Sequence, residues 1–274
     1  MKRDSLPLLI LLAVAAVLAL ILGLTQPAGS SVTPDVGVRT YNQPMCGGNM
    51  WVPVKLPASE YEVHDSAGTC VKPERHRLDF QITSVRRQLG WQYPNISSGY
   101  ELGESSCPSA RDTCYRYPVQ QRDDGMPVAA VRAWLAPGQY NLAFDTWFSP
   151  SSRRLSYADR AGDTEVMIWL AHPGINESYA YDWHVIIDGA EWGVMTWETG
   201  TASGHPWRYV AYVAPRTALG QLSARLWLNP FWRDAEQHGY LSSREWLTAV
   251  DLGFELVSGG QGDNIHGYTL AGVR

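Results

Sequence analysis

Short segments rich in β-branched and aromatic residues recur along the chain from about residue 45 to the C-terminus. Examples are Val131–Leu135, Tyr140–Phe148 and Glu165–Leu170. Clusters of Gly, Pro, Asn, Asp and Ser separate these segments, as is typical where strands alternate with turns. The pattern predicts an all-β domain in which the strands form a β-sandwich.

One segment carries the signals of a helix instead. Asn229 can cap such a helix and Pro230 is tolerated in its first turn, while Gly239 can close the far end after Arg233–His238. The sequence therefore predicts a mostly β domain with one short helix.

An apolar segment stands apart at the N-terminus. Leu6–Leu24 has no charged residue over nineteen positions, and two basic residues precede it. A signal peptide has an apolar run of about 7–15 residues and a bilayer span needs about 18 or more, so a cleaved signal peptide and an uncleaved membrane anchor both remain open. We expect residues 1–29 to export the chain, residues 30–44 to form a linker and residues 45–274 to form the folded domain. The protein would then be secreted or held at the outer face of the cell membrane, with membrane contact only through this apolar segment if it stays uncleaved.

The composition excludes several classes of protein. Apolar residues make up 45% of the chain and charged residues 18%, which excludes a disordered chain and allows a packed core. The net charge is −5 and no basic stretch could follow a phosphate backbone, so nucleic acid is not an expected partner. The 12 Trp and 14 Tyr, against 5 Phe, favour a wet surface lined by aromatic rings.

All four cysteines lie in the exported part of the chain. They are Cys46, Cys70, Cys107 and Cys114. An even number in an oxidising compartment predicts two disulfides. Zinc is the weaker alternative, because the spacings contain no Cys-x-x-Cys and no His stands at zinc-finger distance.

Three predicted strands carry an acid on the face opposite their apolar residues. The strands are Tyr140–Phe148, Glu165–Leu170 and Val250–Val257, in which successive side chains alternate between two faces. The residues on the second face are Asn141, Ala143, Asp145 and Trp147 in the first strand, Glu165, Met167 and Trp169 in the second, and Asp251, Gly253 and Glu255 in the third. If the strands belong to one sheet, two Glu and one Asp line a groove together with indole rings and a thioether.

Two carboxylates that flank a sugar linkage are the groups that glycoside hydrolysis requires. One donates a proton to the departing oxygen, and the other, ionised, stabilises or attacks the developing positive charge at the anomeric carbon. Like charges a few ångströms apart do not both ionise cheaply, so one carboxyl is kept protonated near neutral pH. The pattern favours a glycoside hydrolase.

Three strings resemble glycoside hydrolase family 12, the endoglucanases and xyloglucanases. They are Thr-Glu-Val-Met-Ile-Trp-Leu at Thr164–Leu170, Asn-Leu-Ala-Phe-Asp at Asn141–Asp145, and Gly-Phe-Glu at Gly253–Glu255. The resemblance extends from about Cys46 to the C-terminus. It implies a β-jelly roll of two curved antiparallel sheets that cleaves β-1,4-linked glucans with retention of configuration, and it requires no metal or organic cofactor.

The resemblance also implies roles for particular residues. Glu165 matches the family's nucleophile, Glu255 its general acid and base, and Asp145 an Asp that hydrogen-bonds the nucleophile. The residues expected to bind substrate are Asn49, Trp51, Asn141, Met167 and Trp169, of which the first two contact a sugar on the non-reducing side of the cut. The disulfides would join Cys46 to Cys70 and Cys107 to Cys114.

The resulting prediction is a monomeric endo-β-1,4-glucanase whose partner is a β-glucan polysaccharide. A xyloglucanase, or a xylanase of the related jelly-roll clan, is an alternative within the enzymes. A carbohydrate-binding jelly roll that lacks catalysis is the alternative from another class. The two glutamates speak against it, because a pure binding protein needs neither an acid nor a nucleophile.

Overall fold

The structure is a computed structural model, and its described residues all lie in one compact unit, Thr40–Arg274. They are residues 45–46, 51–56, 59–64, 69–73, 80–85, 92–101, 104–105, 119–120, 127–151, 162–175, 180–199, 206–215 and 219–272, with the backbone alone at 45–64, 73, 100–105 and 119. The predicted export segment and linker, Asn49, Cys107 and Cys114 lie outside these residues. Within the described part of the chain, no helix has both the length and the apolar character needed to cross a membrane.

Most of the described residues form strands. In chain order the strands are β1 (Met45–Cys46), β2 (Trp51–Leu56), β3 (Ser59–His64), β4 (Thr69–Pro73), β5 (Phe80–Val85), β6 (Asn95–Glu101), β7 (Glu104–Ser105), β8 (Val119–Gln120), β9 (Val128–Leu135), β10 (Gly138–Ser149), β11 (Thr164–Ala171), β12 (Trp183–Ile187), β13 (Ala190–Thr199), β14 (Trp207–Val213), β15 (Gly220–Trp227), β16 (Trp246–Gly259) and β17 (Asn264–Ala271).

The strands form two sheets. The smaller sheet has the order β1-β4-β5-β17-β9-β15. The larger sheet has the order β12-β13-β14-β11-β10-β16-β6-β3-β2, with β7 paired to β6 and β8 paired to β16. The described pairs are antiparallel except β11 with β14, which run parallel. The strands that carry the three predicted acids, β10, β11 and β16, are therefore adjacent at the middle of the larger sheet.

The core between the two sheets contains the apolar residues that alternation predicts. In β10, β11 and β16 these residues are Tyr140, Leu142, Phe144, Phe148, Val166, Ile168, Leu170, Val250, Leu252, Phe254 and Leu256. They pack against residues of the smaller sheet such as Phe80, Val131 and Ile265. The inward face of each central strand was thus predicted correctly, and the acids occupy the other face. We call that other face the outer face of the larger sheet.

The predicted helix is present as α1 (Asn229–Gln237), and Phe231 and Trp232 anchor it in the core. One prediction about it was wrong. Asn229 does not cap the helix, because the N-cap is Leu228, no side chain caps the helix there, and Asn229 is buried inside the first turn. Gly239 follows the helix with a φ of +81°, a conformation that glycine adopts readily, and it ends the helix as predicted.

The pairing of β1 with β4 is relevant to one predicted disulfide. β1 pairs with β4 so that Cys46 lies directly opposite Cys70, and Cys70 is disulfide-bonded. Residues opposite each other in an antiparallel pair are about 4.5–5.5 Å apart, within the Cα separation that a disulfide bridges. The register is compatible with the pairing of Cys46 and Cys70, which stays a prediction.

Candidate active site

The outer face of the larger sheet brings the predicted catalytic residues together on three neighbouring strands. Glu165 on β11 lies opposite Trp147 on β10, and Glu255 on β16 lies opposite Asn141 on β10. Asp145 stands between these two positions on β10. A line that joins the two glutamates therefore crosses β10 obliquely, with Asp145 beside it.

Glu165 is held by an indole on the next strand. Trp207, the first residue of β14, donates a hydrogen bond from Nε1 to Oε2 of Glu165 over 2.7 Å. The ring of Trp207 also packs against Trp147, with centroids 6.1 Å apart, and Glu165 is only 8% exposed. A hydrogen bond from a neutral donor supports the ionised carboxylate and fixes its orientation.

Glu255 lies in a different environment. The carboxylate accepts a hydrogen bond from Nδ2 of Asn141, which is fully buried. Burial raises the pKa of Glu255 to about 7, although the hydrogen bond from Asn141 acts in the opposite direction. Glu255 is therefore a carboxyl group that can donate a proton near neutral pH.

Asp145 is buried next to this pair. Nε1 of Trp147 donates a hydrogen bond to Oδ2 of Asp145 over 3.1 Å, and the Asp is 4% exposed. On the outer face Asp145 also lies opposite Asp251 of β16. The expected hydrogen bond from Asp145 to Glu165 stays a prediction.

All three of the predicted catalytic acids raise the pKa of one tyrosine hydroxyl. Tyr209 of β14 is 5% exposed and donates a hydrogen bond to Sδ of Met167 over 2.9 Å. Burial, followed by the negative charges of Glu255, Glu165 and Asp145, raises the pKa of Tyr209 well above its ordinary value. The charges of the three carboxylates thus act on the same hydroxyl. The residue that carries it, Tyr209, lies opposite Glu165 in the parallel pair of β11 and β14.

The predicted substrate-binding residues have different surroundings. Asn141 donates a hydrogen bond to Glu255. Met167 and Trp169 are 1% and 3% exposed, and they pack on the outer face with Ile175 and Met195. These two side chains form the base of the site and have little surface to offer a ligand. Trp51 begins β2, the edge strand of the larger sheet, and its contact with sugar stays a prediction, as do the contacts of the other four.

Three aromatic residues of the site were not predicted, namely Trp197, Trp207 and Tyr209. Alternation in β14 places Trp207, Tyr209, Ala211 and Val213 on one face, so the strand pattern was available in the sequence. What the sequence alone could not supply was the parallel pairing that sets this face beside Glu165. His172, which follows β11, is 4% exposed, and its Nε2 lies 3.0 Å from the carbonyl oxygen of Ala214.

Among the residues that the structure describes, no three or more His, Cys, Asp or Glu side chains are grouped as they would be around a metal ion. The chemistry available at the site is that of carboxyl groups. Glu255 has a pKa close to 7, and Glu165 is buried and accepts a hydrogen bond from the indole of Trp207, a combination suited to proton donation and charge stabilisation.

Solved structures with this fold are numerous. An endoglucanase from Rhodothermus marinus matches with 24% identity and a TM-score of 0.67, over 84% of this chain and 98% of that one. A family 12 xyloglucanase from Bacillus licheniformis matches with 20% identity and a TM-score of 0.65, over 82% and 98%. A metagenome-derived family 12 endoglucanase matches with 24% identity and a TM-score of 0.64, over 84% and 98%. At these identities the likeness establishes the jelly-roll fold, as predicted.

The sequence itself decides the family. No protein of curated function matches the chain significantly. The profile of Glycosyl hydrolase family 12, however, matches residues 67–271, which is most of the chain and includes all three central strands. The chain therefore belongs to glycoside hydrolase family 12.

Proposed function

We propose that the protein is an endo-acting β-1,4-glucanase that hydrolyses its substrate with retention of configuration. The observation that carries this proposal is the pair of glutamates on one sheet face in contrasting environments. Glu255 is protonated up to about neutral pH, whereas Glu165 is supported by the indole of Trp207. Double-displacement hydrolysis requires this division between an acid and a nucleophile.

In the first step a carboxylate oxygen of Glu165 attacks the anomeric carbon. Glu255 gives its proton to the glycosidic oxygen as the bond from carbon to that oxygen breaks, and the leaving sugar departs with a new hydroxyl group. The product of this step is a glycosyl ester of Glu165, and Glu255 is left as a carboxylate.

In the second step Glu255 takes a proton from a water molecule, which attacks the same anomeric carbon. The ester bond breaks, Glu165 returns to its carboxylate form, and Glu255 is again protonated. Two inversions at one carbon give net retention. The mechanism requires the two carboxyl groups to lie about 5–5.5 Å apart, because a wider gap of about 6.5–9.5 Å would admit a water for single-step inversion.

The polysaccharide class follows from the family and its neighbours in fold. Two of the structural relatives are described as endoglucanases and one as a xyloglucanase, so a β-1,4-linked glucan is the proposed substrate. Asn49 and Trp51 are proposed to bind a sugar on the non-reducing side. We further propose a monomer that functions outside the cell, where the disulfides between Cys46 and Cys70 and between Cys107 and Cys114 are stable.

Two substitutions test the catalytic roles. Glu165→Gln and Glu255→Gln should each lower reducing-end release from carboxymethylcellulose or mixed-linkage β-glucan by at least about a thousandfold, because each removes one of the two ionisable groups. Binding of the glucan, measured by affinity electrophoresis, should survive. Glu191→Gln is the matched control, because Glu191 is exposed at the side chain and distant in the sheet order from β16.

The outcomes separate the alternatives. Equal activity in the unchanged protein and both Gln variants would overturn the assignment of the two glutamates. Glucan binding without hydrolysis by the unchanged protein would support the non-catalytic carbohydrate-binding alternative. Parallel assays on xyloglucan and xylan would distinguish a xyloglucanase or a xylanase from the proposed glucanase. Proton NMR of the first product would show the β anomer if the mechanism retains configuration and the α anomer if it inverts.

A further inference from the structure

A row of residues crosses the outer face of the larger sheet from Glu165 toward the β12 edge. Glu165 lies opposite Tyr209 in the pair of β11 and β14, and Tyr209 lies opposite Trp197 in the pair of β14 and β13. Neighbouring strands are about 4.8 Å apart, so the backbone of Trp197 is about 10 Å from that of Glu165 along this row. That separation is short enough for one bound sugar chain to contact both residues.

Trp197 is fixed on one side and exposed on the other. Its ring stacks on Tyr209 with centroids 3.9 Å apart and an interplanar angle of 18°, and Tyr209 is itself held by its hydrogen bond to Met167. Trp197 nevertheless remains 44% exposed. An indole that is already immobilised loses little rotamer freedom when a ligand binds, which favours a flat apolar ligand such as a pyranose ring.

Exposure by itself does not make a binding site, since Trp134 and Trp227 are exposed to a similar extent. Those two residues lie on β9 and β15 in the smaller sheet, away from the glutamates. Trp197 differs because it lies in register with the proposed nucleophile, on the same sheet face. The alternative reading of Trp197 is that it only covers Tyr209.

The position of Trp197 in the sheet order indicates which part of the substrate it meets. Trp51, proposed for the non-reducing side, is on β2 at one edge of the larger sheet, and Trp197 is on β13 next to the opposite edge. A glucan that is cut internally extends past the glutamates in both directions. If Trp51 binds a sugar on the non-reducing side, as proposed, Trp197 lies on the side of the leaving group.

We propose that Trp197, backed by Tyr209, is a stacking platform for a glucose unit of the leaving group that lies beyond the sugar attached directly to the scissile bond. This inference rests on the proposed function. It makes Trp197 a residue that determines substrate length, because only substrates with sugars on the leaving-group side can use it.

Two substrates with different leaving groups provide the test. Trp197→Ala should lower kcat/KM for cellopentaose about tenfold, which corresponds to about 1.4 kcal/mol. The leaving group of 4-nitrophenyl β-cellobioside is a single phenol, so kcat/KM for this substrate should stay within about twofold of the unchanged protein. Trp197→Phe should recover most of the loss, because a phenyl ring can still stack. Trp134→Ala is the matched control and should leave both values unchanged.

Each contrary outcome has a distinct meaning. An equal loss on both substrates would overturn the platform, since it would show that Trp197 acts by supporting Tyr209 and the site. An unchanged kcat/KM for cellopentaose would overturn it as well. If Trp197→Ala does not fold, the comparison of Trp197→Phe with Trp197→Leu decides, and their kcat/KM values should differ for cellopentaose alone. If the unchanged protein hydrolyses neither substrate, the proposed function fails. The platform is then decided separately by calorimetry with cellopentaose, in which Glu165→Gln should bind more tightly than Glu165→Gln combined with Trp197→Ala.

Discussion

The protonation of Glu255 depends on one neighbouring side chain, Asn141. Burial raises the pKa of Glu255 to about 7, and the hydrogen bond that Asn141 donates to the carboxylate lowers it. Asn141→Ala removes the hydrogen bond that lowers the pKa of Glu255 and leaves the effect of burial, so the pKa of Glu255 should rise. Because the acid must be protonated to act, the alkaline limb of kcat/KM, which reports the free enzyme, should move to higher pH in this variant.

The measurement is the pH profile of kcat/KM on a soluble glucan. Asn264→Ala provides the same change of side chain in the smaller sheet, where Asn264 pairs with His266, and it should leave the limb in place. A limb that moves to lower pH in Asn141→Ala would contradict the role of Asn141. Circular dichroism would establish that the variant is folded, because the deletion leaves a cavity at a fully buried position.

At the level of single residues, the sequence predicted what alternation along one strand can determine. The acids at 145, 165 and 255 and the apolar residues beside them are all on the faces that a period of two assigns. The contacts that define each acid come from other strands. Trp207 is forty-two positions from Glu165, and no local pattern specifies that pairing, so the environment of the acids required the structure.

At the level of elements, an ion pair between a partly exposed arginine and a buried glutamate joins β14 to the segment before β16. Arg208 donates a hydrogen bond to Glu245, which also accepts one from Thr164 at the start of β11. Burial raises the pKa of Glu245, and the charge of Arg208 lowers it. Arg208 follows Trp207 and Thr164 precedes Glu165 in the sequence, so their hydrogen bonds to Glu245 fix the ends of the strands that hold the proposed nucleophile.

Removing the guanidinium should therefore destabilise the protein in a manner that depends on pH. In Arg208→Met the pKa of Glu245 should rise further, so the folded state binds a proton that the unfolded state releases above about pH 4.5. Stability of the variant should then fall as pH rises, with a loss of about 1–3 kcal/mol at pH 8 and less at pH 5. Urea denaturation at the two pH values measures it, and Arg225→Met, at an exposed position on β15, is the control.

The helix illustrates which signals at the level of elements are reliable. Pro230 and Gly239 marked its limits because each acts through its own backbone, whereas the capping role of Asn229 depends on a side-chain hydrogen bond. The preceding residue, Leu228, is instead fixed by a backbone bond to Pro127 and by burial in the core. Tertiary packing thus moved the start of the helix by one residue.

At the level of the whole molecule, buried carboxyl groups make the stability of the protein depend on pH. Asp263, fully buried between β16 and β17, accepts hydrogen bonds from the backbone N–H of Ala136 and the hydroxyl of Tyr140. These bonds lower its pKa, but burial outweighs them and raises it to about 7. Together with Glu255 and Glu245, this gives the described part of the folded protein three carboxyl groups that bind protons more tightly than their unfolded counterparts.

The consequence is a stability that falls as pH rises from about 4 to 7, since in this range the folded state holds protons that the unfolded state has released. Asp263→Asn keeps an oxygen that can accept both hydrogen bonds and removes the ionisation. We therefore expect the free energy of unfolding to drop between pH 5 and pH 8 by roughly 2 kcal/mol less in the variant than in the unchanged protein. Asp188→Asn, in an exposed turn with a φ of +51° that Asn also adopts, should follow the unchanged protein. Parallel stability profiles for Asp263→Asn and the unchanged protein would show that Asp263 is not the group that titrates, whereas a flatter profile in the variant would assign this part of the pH dependence to the proton that Asp263 holds in the folded state.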